Sequence, residues 1–166
     1  MTFDECFDQL FHNEGSLSLD SKDRGNWTSG KIGVGELRGS KYGISAMSYP
    51  TIDIKTLTID GAKKIYKEDF WDKLSLDKLP TEITFDIFDM AVNSGPARAI
   101  KLLQLCVKAE EDGVIGPNTL NKVRSFNSLR LRQIYNARRL LFMTNIDSWP
   151  SQGKGWARRI ANNLLL

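Results

Sequence analysis

Three carboxyl groups near the N-terminus have types and a spacing that acid–base chemistry could use. Glu14 is followed by Asp20 six residues later and by Asp23 nine residues later. Glycosidases place one carboxyl group that keeps its proton beside another that stays ionised. These residues could therefore supply a proton donor, with Glu14 as the candidate, and an ionised partner.

The element that must position Glu14 is a short amphipathic helix. Its apolar residues recur at helical spacing: Phe3, Cys6, Phe7, Leu10 and Phe11. Gly15 stands where a helix C-cap glycine belongs, so the helix should stop near Glu14. The negative end of the helix dipole and the aromatic face both disfavour a charged Glu14. A glutamate at a helix end is more often a solvated surface residue, so spacing alone leaves both interpretations open.

The rest of the chain predicts a mainly α (α+β) fold. Residues 15–50 contain seven glycines and no helical period, which favours loops and short strands, with a hairpin around residues 31–34. Helical patterns follow Pro50, with Thr58 and Thr81 as N-caps of the first two. Further helices are predicted over 96–107, from 117, over 128–144 and over 156–165. The small irregular or β region therefore lies near the N-terminus.

Composition and length are those of one globular domain. The chain has 166 residues, of which 41% are hydrophobic and 26% charged. These values exclude a disordered tail protein, a collagen-like chain and a disulfide knot. Cys6 and Cys106 are expected in the core, and a single histidine, His12, argues against a metal site. No apolar run is long enough to span a membrane, and acidic residues precede the first basic one, so we expect no secretory signal and synthesis in the cytoplasm.

Charge is distributed unevenly along the chain. Residues 1–116 carry 14 basic and 19 acidic side chains, whereas residues 117–166 carry 9 basic and 1 acidic. The basic end could face nucleic acid, an anionic membrane or an anionic wall polymer. The last predicted helix, with Trp156, Arg158, Arg159 and Ile160, is either a membrane-active amphipathic helix or a terminal helix packed on the core. We favour packing, with at most a weak contact to an anionic envelope.

Several motifs, in order along the chain, resemble glycoside hydrolase family 108. The first is Glu14-Gly15 with Asp20, Asp23 and Gly25. The second is Gly39-Ser40-Lys41-Tyr42-Gly43-Ile44-Ser45, separated from the first by an extra segment at residues 26–37. The third is Phe88-Asp89-Met90-Ala91-Val92-Asn93-Ser94-Gly95. The fourth, Asp112-Gly113-Val114-Ile115-Gly116-Pro117-Asn118-Thr119, is similar to the region described in such proteins as peptidoglycan-binding.

The resemblance implies a lysozyme-like fold and specific roles for these residues. It implies a single muramidase domain over 1–166, with a catalytic half at 1–95 and a helical half at 96–166. Glu14 matches the catalytic acid and Asp20 and Asp23 match the acidic loop; Ser40 replaces the usual threonine and keeps a hydroxyl. Tyr42 either lines the cleft or only packs. Asn93 either contacts a sugar N-acetyl group or, as we favour, caps its helix.

The implied function is hydrolysis of the β-1,4 bond between N-acetylmuramic acid and N-acetylglucosamine in peptidoglycan glycan strands. No cofactor and no nucleic-acid partner are implied, and a monomer is expected. The enzyme would be a phage endolysin or prophage lysozyme that lyses the host after leaving the cytoplasm through a holin-type pore. Three alternatives stay open: a lytic transglycosylase on the same bond, a non-catalytic wall-binding module, and a nucleic-acid binder. The sequence leaves retaining and inverting stereochemistry undecided.

Overall fold

The computed structural model describes residues 1–11 and 16–166, and the chain divides into two compact units. One unit comprises Met1–Cys6 and Asp69–Leu166, and the other comprises Phe7–Glu68. The α-helices in these described ranges are α1 (Phe3–Phe11), α2 (Ile59–Tyr66), α3 (Thr81–Ser94), α4 (Pro96–Val107), α5 (Pro117–Ser125), α6 (Ser128–Thr144) and α7 (Trp149–Leu164). Strands β1 (Ser40–Lys41) and β2 (Ile44–Ser45) form an antiparallel sheet. The mainly α class with a small β region near the N-terminus is confirmed.

The larger unit is built around α3, which is buried from Ile83 to Ala91 without interruption. A helix that is covered on all sides must be surrounded by other elements, and α3 packs against α4 and α6. Phe3 from the start of the chain meets Trp71 and Phe88 edge to face. Aromatic pairs of this geometry add to the stability that burial alone gives.

Two aspartates on this buried helix are matched by arginines from later helices. Asp86 Oδ2 lies 2.8 Å from Arg132 Nε, and Asp89 pairs with Arg139 at 2.7 Å and with Arg159 at 2.5 Å. Burial raises the pKa of Asp86, with hydrogen bonds from Asn136 and Arg132 opposing it. Burial also acts to raise the pKa of Asp89, but the charges of its two arginines outweigh it and lower the pKa. The third motif thus contributes Asp89 to an ionic core of the larger unit.

The fourth motif forms a turn that a buried glutamine holds. Gln104 is fully buried on α4, and its Nε2 donates to Asp112 Oδ1 at 2.6 Å and to Thr119 Oγ1 at 3.1 Å. Its Oε1 accepts a hydrogen bond from Gly113 N at 2.8 Å. Pro117 then opens α5, as predicted, because its missing N–H is not needed in a first helical turn. These contacts account for the motif as part of the fold.

Most predicted helix boundaries are confirmed, and two are wrong. Thr58 caps α2 by accepting a hydrogen bond from Gly61 N at 3.1 Å. Thr81 is the first residue of α3 rather than its cap, because Pro80 has the extended backbone that the cap position requires. The last helix begins at Trp149, earlier than predicted, because Pro150 falls in its first turn, where a proline is tolerated.

The predicted packing of the last helix on the core is confirmed. Ile160 is buried and Arg159 pairs with Asp89, while Arg158 is exposed. Cys6 and Cys106 are buried free thiols, as expected. Within residues 1–11 and 16–166, no helix has the length and apolar character needed to cross a bilayer.

Candidate active site

The two aspartates of the acidic loop are exposed and fixed by their own backbone. Asp20 Oδ1 accepts a hydrogen bond from Lys22 N at 2.9 Å. Asp23 caps a 3₁₀ turn at Arg24–Asn26, and its Oδ1 accepts from Gly25 N at 2.8 Å. Asx turns of this kind hold a carboxylate in a defined orientation on a loop. Both carboxylates are therefore presented to solvent in fixed positions.

Asn26 joins the acidic loop to the strand that follows it. Its side chain is 0% exposed, and Nδ2 donates to the carbonyl of Asp20 at 3.0 Å and to Ser18 Oγ at 3.4 Å. Its backbone N–H donates to Asp23 O at 3.1 Å, and its carbonyl accepts from the N–H groups of Arg38 and Gly39, both at 3.0 Å. One buried residue thus sets the path of the loop on both sides of the aspartates.

The loop is held by two further contacts. Trp27 donates its indole Nε1–H to the carbonyl of Ser21 at 3.0 Å. Gly39 has a φ of 87°, and a Cβ there would lie less than 3.0 Å from Ser18 O, so only glycine lets Ser18 pair with the neighbouring strand.

The predicted hairpin around residues 31–34 is confirmed as a turn closed by Val34 N→Lys31 O at 3.1 Å, with Trp27 bridging Leu37 at its base.

Ser40 lies between two strand partners in this unit. It pairs with Ser45 across the β1–β2 sheet, and on its other side it exchanges backbone hydrogen bonds with Ser18. The Ser18 N–H donates to Ser40 O at 2.8 Å, and the Ser40 N–H donates to Ser18 O at 3.0 Å. Ser40 is half-buried. The backbone of Ser40 is therefore tied to the segment that leads into the acidic loop.

Tyr42 has a strained backbone at the turn between β1 and β2. Its φ is 52° and that of Gly43 is 72°, which is the pattern of a type I′ hairpin turn. Bulky side chains seldom adopt a positive φ, and such strain persists only where surrounding contacts enforce it. Tyr66 on α2 supplies one, since its hydroxyl donates to the Tyr42 carbonyl at 3.2 Å. Lys41 Nζ also lies 5.2 Å from the centre of the Tyr42 ring.

The predicted site residues divide between the two units. Asp20, Asp23, Ser40 and Tyr42 belong to one hydrogen-bonded region of the smaller unit. Asn93 belongs to the larger unit, where it is exposed in the last turn of α3 and accepts a hydrogen bond from the Ser94 hydroxyl at 3.3 Å.

The remaining predictions concern residues at or near the end of a helix. The predicted capping role of Asn93 is wrong, because Gly95 ends α3, with its N–H bonded to Ala91 O. His12, Glu14 and the predicted C-cap Gly15 lie outside the described residues.

Sequence reasoning missed Asn26 and Tyr66. Asparagine in a glycine-rich loop is normally a turn residue, and nothing in the local pattern signals that Asn26 is buried. Tyr66 falls within a helical sequence pattern, which carries no signal of its contact with Tyr42. In the parts of the chain that the structure describes, no three histidine, cysteine or acidic side chains are grouped so as to hold a metal ion.

Comparisons with known proteins identify one matching family and one similar solved structure. The sequence profile described as Glycosyl hydrolase 108 matches residues 7–95, which is more than half of the chain. A solved structure described as "Structure of Brucella abortus SagA" superposes with a TM-score of 0.82 and 30% sequence identity, covering 98% of this chain and 91% of that one. A search of curated proteins gave no significant match.

Proposed function

The chain belongs to glycosyl hydrolase family 108, a family of peptidoglycan-degrading enzymes, and we propose that it cuts the β-1,4 bond between N-acetylmuramic acid and N-acetylglucosamine by hydrolysis. The glycoside hydrolase class follows from the family. The proposal adds the bond that is cut and the residues that cut it. It also includes the organisation of the chain as one muramidase domain, with a catalytic half at 1–95 and a helical half at 96–166.

In the proposed mechanism, Glu14 donates its proton to the glycosidic oxygen as the bond breaks. Positive charge then develops on the muramic acid ring, and a carboxylate of the acidic loop either stabilises it or activates the attacking water. Asp20 and Asp23 are the candidates for this second role. A separation from Glu14 of about 5–5.5 Å corresponds to retention and one of about 6.5–9.5 Å to inversion.

Three other residues bind the substrate in this proposal. The Ser40 hydroxyl holds a water molecule or a sugar hydroxyl, and Tyr42 provides an aromatic surface for a sugar ring. The Asn93 amide binds an N-acetyl group, a role that its exposure permits. None of these roles requires a cofactor.

The observation that carries the proposal is the fixed presentation of the two aspartates within the family motif. Asp20 and Asp23 lie in the matched region, are exposed, and are held by Asn26 on a loop bonded to the Ser40 strand. Catalytic groups gain efficiency when the fold fixes them before substrate binds.

Isosteric substitutions test the assignment of roles. Glu14→Gln should abolish release of soluble fragments from purified peptidoglycan, since the amide cannot donate the proton. Of Asp20→Asn and Asp23→Asn, the variant that loses at least about a hundredfold in rate identifies the assisting carboxylate. The matched control is Glu82→Gln at an exposed position of α3, which should retain full activity. Full activity of both aspartate variants would favour the lytic transglycosylase, which needs only the acid.

We further propose an endolysin role for the enzyme. It would accumulate in the cytoplasm of the bacterial host as a monomer and reach the wall through a holin-type pore. Expression in a bacterial host should then be tolerated alone and cause lysis when a holin is expressed with it. Lysis without the holin would contradict this role but not the chemistry.

A further inference from the structure

The smaller unit contains a charged cleft beside the acidic loop, outside the residues that the proposed mechanism uses. It has a volume of about 480 Å³ and is lined by Glu36, Leu37, Arg38, Asp53 and Lys55. That volume is in the range of small-molecule and peptide sites. Four of its five lining residues are charged, two of each sign. The cleft therefore suits a ligand that carries both carboxylates and an ammonium group.

One wall of the cleft presents an anchored guanidinium group. Arg38 Nε donates to Glu36 Oε2 at 2.6 Å, and Arg38 Nη1 donates to the carbonyl of Pro50 at 2.9 Å. These bonds use two of the five N–H donors of an arginine, and the side chain remains 38% exposed. A guanidinium that is held in place with donors to spare is well suited to bind a carboxylate.

The segment with Asp53 and Lys55, which also lines the cleft, is fixed as well. Asp53 Oδ1 accepts a hydrogen bond from Lys55 N at 3.1 Å. Lys41 Nζ, from strand β1, donates to Lys55 O at 3.3 Å and to Leu57 O at 2.8 Å. The segment that carries Asp53 and Lys55 is therefore tied to the same strand as Ser40. Both walls are formed before a ligand arrives, which lowers the entropic cost of binding.

Hydrogen bonds through Asn26 join one wall of the cleft to the acidic loop. Arg38 N donates to the carbonyl of Asn26, the residue that holds Asp20. In peptidoglycan the peptide stem is attached to the muramic acid ring, next to the bond that the proposed reaction breaks. With the acidic loop acting on that bond, as proposed, the stem leaves the glycan next to the loop. Stems carry free carboxylates and commonly an amino group, which is the chemistry that this cleft offers.

We propose that the cleft between Glu36–Arg38 and Asp53–Lys55 binds the peptide stem of the muramic acid residue at the cleavage site. This inference rests on the proposed muramidase function and extends it to substrate selection. Arg38 and Lys55 bind stem carboxylates, and Glu36 and Asp53 bind the stem amino group. The enzyme accordingly prefers glycan strands that still carry their peptides.

The test compares two substrates and two matched variants. Sacculi are used intact or after an amidase has removed the stems, and kcat/KM is measured for wild type, Lys55→Met and Lys73→Met. Lys73 is an exposed lysine of the larger unit and serves as the control. We expect Lys55→Met to lose about fivefold on intact sacculi, the largest effect expected of one exposed charge pair, and to match wild type on stripped glycan. Lys73→Met should match wild type on both.

A second readout separates this inference from the proposed function. Fluorescence polarisation measures binding of a labelled synthetic stem tetrapeptide to wild type, to Lys55→Met and to Lys73→Met. Weaker binding to Lys55→Met than to Lys73→Met supports the cleft even if neither glycan is cut, in which case the muramidase proposal alone is contradicted. Equal binding to both variants, or equal losses by Lys55→Met on the two substrates, would overturn the stem site.

Discussion

Replacing Asn26 by aspartate tests whether this residue sets the acidic loop. The side chains are nearly identical in shape, so packing is preserved. The change removes the two Nδ2–H groups that reach Asp20 O at 3.0 Å and Ser18 Oγ at 3.4 Å. It also places a carboxyl group at a position that is 0% exposed. Above its pKa, that group turns an unpaired charge towards the Asp20 carbonyl.

The expected loss of stability depends on pH in a defined direction. Burial raises the pKa of the new carboxyl group in the folded state above its unfolded value of about 3.9. The variant is therefore close to wild type near pH 4, where the protonated group can still donate one hydrogen bond to Asp20 O. Each pH unit above that adds about 1.4 kcal/mol of destabilisation until the folded-state pKa is reached. We expect a loss of about 3 kcal/mol at neutral pH.

Urea unfolding followed by circular dichroism at pH 4.5 and pH 7.5 measures this difference. Asn121→Asp, at an exposed position of α5, is the matched control and should differ little from wild type at either pH. Where the variant remains folded, its specific activity should fall by at least about tenfold at the higher pH and recover partly at the lower one, because the loop regains a hydrogen bond. A pH-independent effect, or none, would refute the assignment of Asn26 as the residue that positions the loop.

The remaining predictions concern the turn, the ionic core and the thiols. In thermal unfolding, Gly43→Ala should lower the melting temperature more than Gly33→Ala, because both glycines have a φ above 70° but only a Cβ at Gly43 would lie within 3.0 Å of the Tyr66 hydroxyl, whereas one at Gly33 meets nothing within 4 Å. Equal losses of melting temperature would contradict a steric role for Gly43. Asp89→Asn should lower the free energy of unfolding by about 3–5 kcal/mol at pH 6, and this difference from wild type should shrink below about pH 4, because Asp89, whose pKa is lowered, stabilises the fold only while it is ionised. Urea titrations across this pH range measure the difference, and a constant difference would argue against the ion pairs. Burial raises the pKa of Cys6 to about 12 and that of Cys106 to about 11, so neither should react with a thiol reagent at pH 8 until urea is added; rapid labelling of the native protein would contradict their burial.

Local rules predicted the helices because their signals lie within each helix. Pro96 and Pro117 stand at first-turn positions, and Thr58 caps α2, so short-range chemistry sets these boundaries. The prediction for Thr81 was wrong because a threonine is a good cap by type, yet the preceding proline takes the cap position. The start of α7 was missed since Pro150 suggests a break although it lies in the first helical turn.

The sequence predicted the residue types of the candidate site but not the buried residues that hold them in place. Asp20 and Asp23 follow from motif and spacing. Asn26 is buried because residues before and after it in the chain fold around it, and no local pattern records those contacts. The same holds for Asp89, whose partner Arg159 lies 70 residues further along the chain. Long-range contacts of this kind decide burial, and burial decides which polar residues position a site.

The central claim, hydrolysis at the muramic acid linkage, is tested most directly by digestion of purified peptidoglycan in ¹⁸O-labelled water. Mass spectrometry of the soluble fragments then reads the chemistry at each new end. The account predicts reducing N-acetylmuramic acid ends that carry one ¹⁸O atom with wild type and no such ends with Glu14→Gln. Anhydro-muramic acid ends without ¹⁸O, or labelled reducing ends on N-acetylglucosamine, would contradict it.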